Sequence, residues 1–247
     1  MRDGLFNLGT FEGKPEQLGL DFGPQPEQGV PYLRHGARAY AESQGRTYSH
    51  EGLSEMQADP IFQHRVATHY EAAQGAEHEH RVKSAYAALA GEVHQQFDYL
   101  TRPQEHGGLG VKVEFEPELE GTNIYPTHEH LINDLQQNRR LRVNKTGSSP
   151  ADQAVGHPFL DPETNDKFRA VHDAFGHAAI GRSFSRHGEE AAYHSHAQMF
   201  SHKAVPALAA ETRMQNSALN YGRRPGVFPE QKAVIAPSWA TRSRIRR

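Results

Sequence analysis

The alternation of apolar and polar residues along this chain predicts helices over most of its length. Asp59-Pro60 reads as a helix start, with Asp as cap and Pro at the first helical position. Phe62, Val66, Tyr70 and Ala73 then recur at helical spacing, and Gln74-Gly75 ends the segment. A longer helix is predicted from about Glu79 to Leu100. Its stripe is Val82, Tyr86, Leu89, Val93, Phe97 and Leu100, at intervals of three and four. A shorter helix is expected over Arg34–Gln44. Val111, Val113 and Phe115 alternate with charged residues, as a half-buried strand does. Leu141-Arg142-Val143 can pair with it. Between them, Thr127 is positioned to cap a helix with Leu131, Ile132 and Leu135 on its inner face.

In the C-terminal half, Asn165 or Asp166 is expected to cap a helix carrying Phe168, Val171, His172 and Phe175 on one face. Helices Glu189–His202 and Ala204–Asn220 follow, and Val234–Trp239 is read as a strap closing over the core. Block 144–164 is a long loop rich in Gly, Ser and Pro, of a length at which loops are often functional. The fold class expected is mainly α: a single helical domain, 31–240, with a small two-stranded β element. An extended N-terminal arm, 1–30, and a basic tail, 241–247, flank it.

Composition narrows the chemistry. The 247 residues include no Cys, which removes disulfides, thiolate metal sites and a Cys nucleophile together. No apolar run reaches membrane-spanning length, and the first residues lack a signal-peptide core, so a soluble protein of the cytoplasm is expected. A net charge of -3 provides no global field for nucleic acid; the tail with Arg242, Arg244, Arg246 and Arg247 offers at most a weak contact with a phosphate backbone or an acidic partner. The 17 histidines are scattered, and most read as solvated surface residues.

The exception is the stretch from Asn165 to Asn216. It contains His172-Asp173-Ala174-Phe175-Gly176-His177, then Glu189, Glu190, His194 and His196, then Glu211. Two His and a later carboxylate are the donor set of a mononuclear iron site. The two His are five apart, which on a straight α-helix turns them about 140° from each other. Gly176 permits the distortion they need to converge, a π-bulge or a helix end. Glu211 falls in the apolar stripe of its helix, with Ala204, Ala207, Leu208, Met214 and Ala218. A buried carboxylate there requires a cation, either a metal or an Arg. His172, His177 and Glu211 are therefore the expected ligands. Glu189 and His196 share one helix face, and Glu190 and His194 another. These faces read either as one core and one surface side, or as groups that orient the ligand histidines or touch substrate. Asp173 can hold an imidazole or a loop N–H. Arg213, Gln215 and Asn216 flank the carboxylate and are candidates for binding a cosubstrate.

The HDxxGH core, followed by Phe184 and Glu211, resembles the iron site of the pterin-dependent aromatic amino acid hydroxylases. Ala179 stands where their motif has Pro, and the 34-residue gap from His177 to Glu211 is shorter than theirs. The resemblance implies a mostly helical domain with Fe(II) on His172, His177 and Glu211, dioxygen activation with a pterin or other cosubstrate, and hydroxylation of a small-molecule or polymer-linked substrate. The longer run from NDKFRAVHDAFGH through GEEAAYHSHAQM and ETRMQNSALNYG to FPEQKAVIAP resembles an uncharacterised domain of phage and mobile-element proteins. It implies a viral origin and packaging in a virion beside a capsid or other assembly partner. The leading expectation is a non-haem Fe(II) monooxygenase-like enzyme. A virion-associated structural or interaction protein is the alternative, and a zinc-dependent hydrolase on the same ligands comes third. An HD phosphohydrolase ranks lower, because His157 and His172-Asp173 could begin its series but no Asp follows Asp173, and no P-loop, dinucleotide fingerprint or Ser elbow occurs.

Overall fold

The computed structural model describes residues 29–117, 124–148 and 156–242. The helical expectation holds: α1 spans Pro31–Ser43, α2 Pro60–Ala72 and α3 His80–Thr101, followed by β1 Lys112–Glu116, α4 His128–Asn138 and β2 Arg140–Asn144. The C-terminal half contributes α5 Pro162–His172, α6 Arg186–Ala197, α7 Val205–Ala209, α8 Gln215–Tyr221 and α9 Ser238–Thr241. π-Helical turns extend α5, over Asp173–Ala178, and join α7 to α8, over Ala210–Met214. β1 and β2 run parallel, with Val113 opposite Leu141, and α4 is their crossover. Residues 1–28 of the expected arm, 149–155 of the loop and 243–247 of the tail lie outside the described residues. Among the described residues no helix is long and apolar enough to cross a membrane.

Local chemistry explains most boundaries. The Asp59 carboxylate accepts from Ile61 N and Phe62 N and so caps α2, with Pro60 at the first position. The cap of α5 is Asp161, which accepts from Thr164 N at 2.9 Å, ahead of Pro162. Asn165 and Asp166 therefore lie inside the helix. Their side chains bind Thr146, Asp166 through the backbone N–H at 2.6 Å and Asn165 through the hydroxyl at 3.0 Å, and so fix the chain that leaves β2. Ser185 caps α6 from Gly188 N, so this helix begins three residues before Glu189.

The long helix α3 is the spine, with α5 and α7 packed along it. Its buried stripe is Val82, Tyr86, Leu89, Val93 and Leu100, with Gln96 fully buried among them. Phe97, expected in that stripe, is only half-buried. α6 is buried on every side from Gly188 to His196, which corrects the expectation of one surface face. The C-terminal strap closes over these helices through Ala76 N to Ala233 O (2.9 Å), Tyr86 Oη to Val234 O (3.1 Å) and Ala236 N to Pro206 O (2.9 Å). Trp239 sits edge-on to Phe62.

Candidate metal centre

The five-residue spacing of His172 and His177 is resolved by the π-helical turn. The backbone bond from Ala179 N to Ala174 O (2.9 Å) spans five residues, the π pattern, and brings His177 back over His172, while Arg182 N to His177 O (3.1 Å) caps the turn over left-handed Gly181. The two rings lie 5.1 Å apart at 89°. Gly176 serves this geometry by absence of a side chain. A Cβ there would meet Ala192 O and His172 Nδ1, each at 3.2 Å, so glycine lets α6 approach the turn closely.

That approach delivers Glu189. Its Oε2 lies 3.7 Å from His172 Nε2 and its Oε1 3.4 Å from His177 Nε2. One ligand atom from each of the three residues lies within 4.8 Å of the others. Two atoms each about 2.1 Å from a common ion sit roughly 3.0–3.4 Å apart, so the set closes on a first-row metal with small adjustment. His172, His177 and Glu189 are 0%, 1% and 4% exposed.

Hydrogen bonds fix which ring atoms face the carboxylate. His177 Nδ1 lies 3.2 Å from Arg182 O and 3.1 Å from Ser183 O. Carbonyls only accept, so Nδ1 carries the proton and Nε2 is left to face Glu189. A longer relay sets His172. Gln96 Nε2 donates to Met199 O at 3.4 Å, which turns Gln96 Oε1 towards His196 Nε2, 2.8 Å away. His196 Nε2 must then donate, and in a neutral ring Nδ1 accepts. Its partner at 3.2 Å is His172 Nδ1, which is thereby the donor. The His172 lone pair on Nε2 points to Glu189. Thus two imidazole lone pairs and a carboxylate meet in a buried space.

Electrostatics agree. Burial holds His172 below the ordinary imidazole range and drives His196 far below it, so both are neutral. Burial also pulls on His177, but the facing Glu189 outweighs it and raises this pKa. Burial pushes Glu189 up, and His177 with His172 reverse that and lower it. The pair accordingly wants a cation between its members, a proton on His177 or a metal ion. Among the described residues Glu189 Oε1 has no hydrogen-bond partner, His177 Nε2 facing it at 3.4 Å. Burial lifts neighbouring Asp173 to about 7.

Glu211, the expected third ligand, is not part of this group. It is buried, as its position required, but donors rather than a cation satisfy it. Tyr86 Oη and Gln215 Nε2 (2.7 Å) donate to it, and so does His157 Nε2 at 3.3 Å. His157 Nδ1 accepts from Phe159 N and Leu160 N, which leaves its proton on Nε2. The carboxylate that joins the histidines is Glu189.

The three residues flanking Glu211 are likewise occupied within the fold and are not gathered at the histidine pair. Arg213 forms a two-pronged ion pair with Glu190, with Nε to Oε2 at 2.9 Å, and donates to Ala240 O and Arg242 O. His194 and Gln63 complete that cluster. Gln215 holds Glu211 and Gln231, and Asn216 accepts from Asn220. Of the other expectations, His196 does contact a ligand histidine. Gln96 went unrecognised, although a Gln three residues beyond Val93 and four before Leu100 is a polar residue in an apolar stripe. No family model, curated protein or solved structure matches the chain.

Proposed function

We propose that this protein is a non-haem metalloprotein of the two-histidine, one-carboxylate type, with Fe(II) on His172 Nε2, His177 Nε2 and Glu189, and that it belongs to the oxygenase or hydroxylase class. The observation that carries this reading is the ligand set: one ligand atom from each of two histidines and a carboxylate converges in a buried space, and the bonds at the two ring Nδ1 atoms leave both Nε2 atoms facing Glu189. Iron(II) held by His172, His177 and Glu189 would supply dioxygen-dependent hydroxylation chemistry. The chain's own residues prepare the site. The carbonyls of Arg182 and Ser183 orient His177, and Gln96 and His196 orient His172. Asp173, with a pKa near neutrality, can hold a proton beside the pair. Protein purified without oxygen should carry one iron per chain and consume dioxygen on exposure to air with a reductant. His172→Ala, His177→Ala and Glu189→Ala should each abolish the iron, whereas Glu211→Gln should keep it. Iron that is substoichiometric and indifferent to the first three substitutions would overturn the proposal, and stoichiometric zinc would point instead to a hydrolase on the same ligands.

The near-complete burial of all three ligands favours a second reading, in which the metal stabilises the fold of a virion-associated structural protein. Chelation would then lower the melting temperature, no dioxygen would be consumed, and the protein would be found in purified particles.

A further inference from the structure

A second cavity presents the opposite chemistry. It has a volume of about 320 Å³ and is lined by Arg34 and His35 of α1, by His50, Glu51 and Ser54 of the following loop, and by Ile180. Arg34 and Arg38 are one turn apart on α1, like charges at a spacing where they repel. Neither guanidinium pairs with a carboxylate among the described residues. Arg38 Nη2 lies 3.4 Å from His50 Nδ1. A guanidinium only donates, so His50 Nδ1 accepts and the ring proton sits on Nε2. Among the described residues that Nε2–H meets no acceptor. The wall thus offers the Arg34 guanidinium, the His50 N–H and the Ser54 hydroxyl, with Glu51 its one carboxylate, and Arg38 reaches it only through His50.

We propose that this cavity binds the anionic group, carboxylate or phosphate, of a small molecule. Guanidinium groups match such oxyanions with two parallel hydrogen bonds, and a bound anion relieves the repulsion along α1. Burial, Arg34 and Arg38 push the pKa of His50 down and outweigh Glu51, which raises it; this fits a neutral ring donating from Nε2.

The cavity is also linked to the metal centre, through Arg182. Its loop is pinned by Arg182, which donates from Nη1 to Ser54 O at 2.6 Å and from Nη2 to Met56 O at 3.0 Å. The carbonyl of the same Arg182 holds His177. Leu53 and Met56 pack with Ile180 and with Ala191, two residues past Glu189. An acidic molecule in the cavity therefore rests on the segments that position two metal ligands. The inference stands on the cavity alone and does not require that the centre hold iron.

The test is calorimetric titration of the full chain with inorganic phosphate and, separately, with succinate, while the His50 ring signals are followed by NMR. Saturable binding of either anion with a shift of the His50 signals is expected, and which anion saturates tells phosphate from carboxylate. Arg34→Gln should weaken binding about tenfold or more, the loss of one charge-assisted contact; Arg38, outside the lining, acts through His50, so Arg38→Gln should weaken it less, by freeing the His50 ring. Glu51→Gln should tighten it by removing a like charge. All three should leave the metal content unchanged. Absence of saturation by both anions, or equal binding to the wild type and both Arg variants, overturns the proposal.

Discussion

The relay from Gln96 to His172 can be broken far from the ligands. Gln96→Leu removes the acceptor of the 2.8 Å bond from His196 and keeps an apolar body in the α3 stripe. His196 then has two choices. It can keep its proton on a buried Nε2 without a partner, at about 1–3 kcal/mol. Or it can move the proton to Nδ1, where it meets His172 Nδ1 at 3.2 Å and forces that ring to carry its own proton on Nε2, the atom that must be bare to bind a metal. Metal binding selects the first arrangement and so carries its cost. At about 1.4 kcal/mol per factor of ten, affinity should fall roughly 10- to 100-fold, the range seen when groups that orient metal-bound histidines are removed.

The assay is competition for Fe(II) or Zn(II) against a chelator of known affinity, without oxygen. Gln63→Leu is the control. It removes an equally buried amide, one that donates to Glu190 at 2.8 Å and has no contact with His172 or His196. It should cost stability and leave metal affinity alone. A folded Gln96→Leu protein that binds metal within twofold of wild type, or a Gln63→Leu protein that loses affinity as much, would refute the relay.

Three further substitutions probe neighbouring parts of the core. Glu211→Gln should keep full metal content but lose about 1–3 kcal/mol in urea denaturation, because an amide cannot accept from Tyr86, His157 and Gln215 together. Gly176→Ala drives a methyl against Ala192 O and His172 Nδ1, so it should cost about 1–3 kcal/mol and weaken metal binding as well. The Asp173 pKa is raised to about 7 in the fold, above its ordinary 3.8, so its stabilising contribution is present at acid pH and fades as pH rises towards 7. Asp173→Asn should accordingly gain melting temperature relative to wild type at pH 8 more than at pH 5. The depressed pKa values of His172, His194 and His196 act in the other direction: the unfolded chain takes up protons first, so stability should fall as pH drops below about 6.5.

Much of this organisation was legible from residue pattern. The stripes of α2 and α3, the Asp59-Pro60 start, the strand pair and the closing strap follow from periodicity and caps whose chemistry is local. The distortion between His172 and His177 was legible too, because five-residue spacing and Gly176 demanded it. The third ligand was not. Periodicity assigns direction only when one face is polar, and from Gly188 to His196 and from Ala207 to Ala218 the chain is buried all round. The apolar stripe that singled out Glu211 therefore does not distinguish it from Glu189, which is buried as well. What separates them is the company each keeps: Tyr86 and His157 reach Glu211 across 125 and 54 residues. Asn165 and Asp166 misled in the same way, since their side-chain partners lie on Thr146, which accepts from Asn165 and donates to Asp166, and not on their own helix.

The same comparison yields the sharpest test of the centre. Each buried glutamate in this core has a compensating group. Glu190 has Arg213, and Glu211 has three hydrogen-bond donors. Glu189 has two imidazoles whose outer nitrogens are already occupied as donors. Without a metal its compensation is the proton on His177, whose raised pKa means the group stabilises the fold at low pH and ceases to as pH rises through that value. Glu189→Gln removes the charge and supplies an N–H to an imidazole lone pair. At alkaline pH the metal-free variant should therefore be more stable than the metal-free wild type, by about 1–3 kcal/mol, while its metal content drops to background. A carboxylate placed there only for hydrogen bonding predicts the reverse for stability, because the substitution would then break a satisfied contact. Urea denaturation of both proteins after exhaustive chelation, at pH 6 and pH 9, separates the two. Equal or lower stability of the Gln variant at pH 9 would show that Glu189 needs no cation.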